Sequence, residues 1–273
     1  MTVTEHTPVH VTATFVDHPQ GRLFARSWHP VPDPQGEAGE TPLLLLHDSL
    51  GCVELWRDFP AALTQALGRR VIAYDRLGFG RSDPRGGTLA PGFIEEEARS
   101  VLPALQRELG FRRFIAFGHS VGGGMAVHCA ALHPGDCVAL VTESAQAFVE
   151  ERTRAGIREA KASFAEPRQF ERLTRYHGNK ARWVLDAWTE TWLSPAFAEW
   201  SLDGVLPRVR CPLLALHGEH DEFGSVRHPE TLARLAAGGA RVEIIAGACH
   251  VPHREQAALV VRLVRDFLNA LHA

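Results

Sequence analysis

The chain of 273 residues has no continuous apolar run near the ~18 residues that a membrane span requires. Cysteine is scarce: Cys52, Cys129, Cys137, Cys211 and Cys249 are odd in number, scattered, and never spaced as Cys-x-x-Cys. That excludes a disulfide framework and a cysteine-based zinc site, and leaves most of them as small apolar fillers. Neither sign of charge is in excess, with 29 Lys and Arg against 32 Asp and Glu and a net charge of −3. Such a balance points to no nucleic-acid partner and no anionic membrane surface. The opening residues Met1-Thr2-Val3-Thr4-Glu5-His6 lack the basic and apolar regions of a signal peptide, so a cytoplasmic location is expected. Internal repeats and low-complexity segments are also missing.

What remains is an ordinary globular composition, 45% hydrophobic and 22% charged. Strand-like and helix-like segments alternate, the signature of an α/β sheet. Thr7–Phe15 and Arg22–Trp28 read as an opening hairpin, and Val31–Thr41 as a loop. Pro42–His47, with four consecutive leucines, and Arg70–Tyr74 read as buried strands. Helices are expected over Leu55–Leu67 and Phe93–Leu109, each followed by a capping glycine. Strands follow at Arg113–Phe117 and Cys137–Thr142, with a helix between them that ends near His133. Between about Phe148 and Leu202 strand signals disappear, and four of the six tryptophans fall there. Alternation resumes with Pro212–His217, a helix over Pro229–Ala237, a strand at Arg241–Ile245 and a last helix from His253 to about Leu271. The expected organisation is therefore a core over 1–147 and 203–273, with a helical cap over 148–202 inserted after the sixth strand.

Gly118-His119-Ser120-Val121-Gly122 lies where a strand turns into a small-residue helix. A sharp turn there exposes the serine hydroxyl, and the glycines avoid collisions. The competing reading is a Gly-rich turn whose serine caps the helix. A serine hydroxyl is a poor nucleophile near neutral pH unless a base lies within hydrogen-bond reach and an acid orients the base. In an open α/β sheet such partners gather just after strand ends. Asp221 follows the strand ending at His217, and His250 follows the strand ending at Ile245. Rivals for the acid are Glu143 and Asp203; His253 and His119 compete for the base.

The chain order Ser120, Asp221, His250 resembles that of the α/β-hydrolase fold family, in its capped, single-domain form. Tyr74-Asp75-Arg76-Leu77-Gly78-Phe79-Gly80-Arg81-Ser82 is similar to that family's D-x-x-G-x-G-x-S turn, which is structural. His250 matches the family's Gly-x-x-His arrangement. The resemblance implies a mostly parallel sheet of about eight strands with helices on both faces. It also implies acyl transfer through a Ser120–His250–Asp221 triad, with neither metal nor organic cofactor. The oxyanion hole is expected from the backbone N–H groups of Val121 and Ser49. One departure is His47-Asp48, where the family usually has His-Gly.

Serine at the elbow suits carbonyl substrates, so a small-molecule carboxylic ester or lactone is the expected partner. Carbon–carbon hydrolases of aromatic degradation typically carry Asn-Ser-Met at the elbow and an aromatic after the histidine, whereas this chain has His119-Ser120-Val121 and Val251. Ser49-Leu50-Gly51 with Trp56 is similar to enol-lactone hydrolases. A non-catalytic or single-turnover receptor on the same fold is the alternative of another class. Phe148, Trp183, Trp188, Trp192 and Phe197 are candidates for the substrate pocket, or equally for the cap's own core. From Glu150 to Arg182 nine Lys and Arg face five Glu. That excess reads either as steering of an anionic substrate or as solvated helix faces with internal ion pairs.

Overall fold

The computed structural model describes residues 8–32 and 41–271. Thr7, the expected start of the first strand, and most of the expected Val31–Thr41 loop lie outside the described residues. Eight strands form one sheet: β1 (Val9–Val16), β2 (Leu23–Pro30), β3 (Leu43–Leu46), β4 (Val71–Tyr74), β5 (Phe114–His119), β6 (Cys137–Glu143), β7 (Leu213–Gly218) and β8 (Ala240–Ile245). Their spatial order is β1-β2-β4-β3-β5-β6-β7-β8. β1 and β2 form the antiparallel hairpin, β2 runs antiparallel to β4, and all neighbours from β4 to β8 are parallel.

The central strands are apolar throughout because both faces are covered. The period of two divides them between two cores. Leu44 and Leu46 of β3 join Ala116 of β5 and Leu140 of β6 on one face. Leu43, Leu45, Ile115, Phe117, Ala139 and Val141 fill the other. Helix α1 (Phe59–Leu67) covers the second face. Helices α2 (residues 93–109, with a wide turn at Glu97–Val101) and α3 (Val121–Leu132) cover the first. Beyond the sixth strand come α4 (Glu151–Ser163), α5 (Pro167–His177) and α6 (Ala181–Leu193). The chain closes with α7 (Arg227–Leu235), α8 (Pro252–Glu255) and α9 (Ala257–Ala270), the last packing on α1 through Val260, Val264 and Phe267.

Two expected helices are broken. Leu55–Leu67 splits into a tight turn, Val53–Trp56, and α1, because Arg57 adopts φ 52. Pro60 in the first turn of α1 suits a helix start rather than an interior. The last helix divides at Gln256, whose φ of −137 is not helical.

Helices α4 to α6 leave and rejoin the sheet at one place. Phe148 pairs with Ser201, the Val149 N–H donates to the Trp200 carbonyl at 3.2 Å, and the Leu202 N–H donates to the Ala147 carbonyl at 2.7 Å. Their far end is tied to the turn after β4. His177 accepts the Gly80 N–H at 2.9 Å and donates to the Leu50 carbonyl at 3.0 Å, while Lys180 donates to the carbonyls of Gly80 and Ser82. Among the described residues no helix is long and apolar enough to cross a membrane.

Candidate active site

β5 ends at His119 and α3 begins at Val121, leaving Ser120 alone on the turn with φ 55 and ψ −125. A left-handed φ at a residue with a Cβ costs on the order of 1–3 kcal/mol and persists only where its surroundings enforce it. Here they do. A Cβ on Gly118 would lie 2.1 Å from the Gly122 carbonyl oxygen, and one on Gly122 would lie 2.1 Å from that of Leu46. The Ser120 N–H is held by the Glu143 carbonyl at 2.8 Å, so β6 also fixes the turn.

Three loops converge on this serine. Ser120 Oγ lies 3.0 Å from His250 Nε2, and both carboxylate oxygens of Asp221 lie 2.9 Å from His250 Nδ1. Asp221 is itself fixed by the backbone N–H groups of Phe223 and Gly224, at 2.7 and 3.0 Å from Oδ1. Burial pushes the Asp221 carboxyl up, but the facing His250 and these donors outweigh it and hold the group at about 2. Burial alone would lower His250. The Asp221 charge and hydrogen bond, with smaller contributions from Glu222 and Asp48, raise it above its ordinary value.

Two of the rivals pair with each other. Glu143 Oε2 and His253 Nδ1 are 2.5 Å apart, both buried behind the serine turn, with the His253 ring against Trp56 and Phe59. Burial pushes Glu143 up, yet His253 and His119 hold it below its ordinary value. His119 points away from the Ser120 hydroxyl, and its Nε2–H donates to the His250 carbonyl at 2.8 Å. Burial lowers His119 to about 4, so it is neutral at ordinary pH. Asp203 is exposed.

His119, Glu143 and His253 offer ligand atoms within 4.8 Å of one another, as a metal site would. Two of those groups are already spent on each other and the third on the His250 carbonyl, so the cluster reads as structural.

Ser49 lines the cavity that holds Ser120, and Ser49 and Val121 together line a separate small void of about 10 Å³ with Phe79, Phe93, Trp188 and Trp192. Among the described residues neither the Ser49 nor the Val121 backbone N–H is engaged in a hydrogen bond. Asp48, in place of the family's glycine, turns its carboxylate toward His119, with Oδ2 3.8 Å from Nδ1. Burial pushes that carboxyl up, but His119 and Arg254 bring it down.

Ser120 and His250 open into a cavity of about 240 Å³. Leu50, Thr153, Ile157, Ala160, Phe164, Trp188, Trp192 and Phe223 supply its apolar walls, so α4 and α6 roof it. Of the five aromatic candidates, Trp188 and Trp192 line it, and the other three do not. Trp183 packs over Gly78 and Phe79 and donates from Nε1 to the Gly87 carbonyl at 2.7 Å. Phe148 stacks on His228, 4.4 Å between ring centroids, under the Arg227 guanidinium. Phe197 lies buried between Phe93, Trp192 and Trp200. The basic excess of the helical segment is not turned inward either. No Lys or Arg is among the cavity-lining residues, and Arg158, Lys161 and Arg182 pair with Glu151, Glu190 and Asp186.

The sequence reading missed Gln146, Asp48 and Glu222 in the cavity wall. Gln146 follows β6 at the end of the sheet where the other groups gather, which was the available signal. Glu222 adjoins Asp221 and accepts the His250 N–H at 3.2 Å.

The family model for the alpha/beta hydrolase fold matches residues 41–257. The serine hydrolase BPHL of Mus musculus is 29% identical over 253 residues, covering 85% of this chain and 80% of the relative. The 2-hydroxymuconate semialdehyde hydrolase of Pseudomonas sp. (strain CF600) is 26% identical over 249 residues, covering 83% and 86%. Among solved structures, the enol-lactonase from Burkholderia xenovorans LB400 superposes with a TM-score of 0.70 at 21% identity, covering 94% of this chain and all of the other.

Proposed function

The chain belongs to the α/β-hydrolase fold family, a family of hydrolases, and from that premise we propose that it is a serine hydrolase of small carboxylic esters or lactones. The observation that carries the reading is the unbroken line from Ser120 Oγ through His250 to Asp221, at 3.0 and 2.9 Å, opening into a substrate-sized cavity. In this mechanism His250 Nε2 removes the Ser120 proton as Oγ attacks the carbonyl carbon. Asp221 holds the proton on Nδ1, which keeps Nε2 free to accept, and stabilises the imidazolium. The tetrahedral oxyanion is met by the N–H groups of Val121, at the N-terminus of α3, and Ser49. His250 then returns its proton to the leaving alcohol. A water deprotonated by the same nitrogen releases the acid. Helices α4 to α6 act as a cap that shapes the acyl site and excludes bulk water. The expected setting is cytoplasmic, with a small-molecule substrate and no nucleic-acid or membrane partner.

A lactone is a cyclic ester and falls to the same chemistry. Carbon–carbon hydrolysis, suggested by the muconate semialdehyde hydrolase among the relatives, is the second reading. Against it, the ionisable groups in the cavity wall are Asp48, Glu222 and His250, with no Lys or Arg to receive a substrate carboxylate. The test is hydrolysis of p-nitrophenyl esters from acetate to decanoate by the wild type and Ser120→Ala. Turnover of short acyl chains, reduced on the order of 10⁶-fold in the variant, supports the reading. No turnover by the wild type would overturn it. A stoichiometric burst without further release would favour a single-turnover receptor.

A further inference from the structure

Gln146 is unexplained by the chemistry above. The residue is only 3% exposed, yet it forms part of the cavity wall beside Ser120. The backbone on both sides is pinned. The Ser144 N–H donates to the Leu216 carbonyl at 2.9 Å, the Ala147 N–H donates to His228 Nδ1 at 3.2 Å, and Ala145 packs against Gly123 of α3. The backbone that carries the amide is therefore fixed beside the serine turn. Its one side-chain hydrogen bond among the described residues is at Oε1, 3.5 Å from Ser120 Oγ, and that hydroxyl has His250 Nε2 closer, at 3.0 Å. A primary amide carries two donors and two acceptor lone pairs. The amide N–H donors have no protein partner among the described residues and border the cavity, so an acceptor on a group that enters it can pair with them.

We propose that Gln146 is a specificity-determining residue that donates its amide N–H to a second, uncharged oxygen on the acyl part of the substrate. The proposal rests on the ester-hydrolase reading. The acyl carbon is bonded to Ser120 Oγ through both half-reactions, whereas the alcohol departs toward His250. An amide within reach of that Oγ is thus a neighbour of the acyl chain, near its α to γ atoms. The oxygen is uncharged because Asp48 and Glu222 in the same wall repel a carboxylate. The substrate class is an oxygenated acyl ester or lactone: an alkoxy, hydroxy, keto or amido acyl group.

The experiment compares p-nitrophenyl methoxyacetate with p-nitrophenyl butyrate, acyl groups of equal length that differ by an ether oxygen in place of a methylene. Intrinsic reactivity differs between them but cancels when the ratio of their kcat/KM values is compared between enzymes. In Gln146→Met, which keeps the length and removes the hydrogen bond, the methoxyacetate-to-butyrate ratio is expected to fall about two- to tenfold from the wild-type value. Gln146→Asn, which draws the amide back by one methylene, should lower it in the same direction. A purely structural role would slow both esters alike, and an unchanged ratio in folded Gln146→Met would overturn the proposal. If the wild type turns over neither ester, the hydrolase reading fails, and binding still decides this one. Fluorescence of Trp188 and Trp192, which line the cavity, then reports titration of Ser120→Ala with methyl methoxyacetate and methyl butyrate. The Kd ratio must shift against methoxyacetate in Ser120→Ala/Gln146→Met; an equal ratio in both proteins refutes the role of Gln146.

Discussion

Replacing Asp221 by asparagine removes the charge that faces His250 Nδ1 while keeping the side chain's shape. The backbone N–H groups of Phe223 and Gly224 both donate to Oδ1, so an asparagine carbonyl is held at that position and its NH₂ takes the place of Oδ2. That NH₂ would then lie 2.9 Å from His250 Nδ1 and donate to it. The imidazole is driven toward the tautomer with its proton on Nε2, which cannot accept the Ser120 proton. Loss of the charge-assisted hydrogen bond alone is worth about 1.5–3 kcal/mol, or about ten- to a hundredfold in rate. The tautomer shift adds to this, for a fall in kcat of about 10²–10⁴. A second readout is pH. Activity needs neutral His250, whose pKa stands above 6.5 because Asp221 outweighs the lowering effect of burial. In the wild type kcat/KM should therefore rise with pH through a limb above 6.5. In Asp221→Asn burial is left largely unopposed, so the residual activity should rise through a limb at lower pH. The assay is the pH profile of p-nitrophenyl butyrate hydrolysis for both proteins. Activity within threefold of wild type and an unmoved limb would refute this reasoning.

Other perturbations discriminate among neighbouring buried groups. Glu143→Gln breaks a buried pair with His253 and should cost about 3 kcal/mol of stability in urea unfolding. Its folded fraction should keep kcat within about tenfold; a large kcat loss at unchanged stability would make Glu143 the acid. His119→Phe removes the donor that clamps the His250 carbonyl, and kcat is expected to fall about ten- to a hundredfold with little change in KM. Iodoacetamide at pH 8 should alkylate Cys249 alone, as peptide mapping would show. Cys249 is the exposed cysteine, whereas Cys52 is buried with its thiol pushed up to about 12.

Those groups also mark where sequence reasoning reaches its limit. The sheet and the serine turn were legible because their requirements are local. Four leucines in a row imply a strand covered on both faces, and glycines flanking Ser120 imply a turn with no space for a Cβ. Asp221 and His250 were legible because each follows a strand that delivers it to the same edge. The pairing of Glu143 with His253 spans 110 positions and depends on how α8 packs behind the serine turn, which no spacing encodes. The aromatic residues divided for a related reason, Trp188 and Trp192 lining the cavity and Trp183, Phe148 and Phe197 packing elsewhere. Trp183 and Trp188 lie on the same helix, yet one faces the turn after β4 and the other the cavity. Helical spacing gives a direction only after the helix has been docked. Gln146 carries no motif, and its meaning comes from its place in the cavity wall beside Ser120.

The most direct test of the proposed chemistry is the mass of the protein trapped during turnover. Wild-type protein acid-quenched within milliseconds of mixing with p-nitrophenyl butyrate should carry one butyryl group, mapped to Ser120 by peptide fragmentation. Ser120→Ala should carry none. Turnover by the wild type with Ser120 unmodified, or with the acyl group on another side chain, would contradict the nucleophilic role of Ser120.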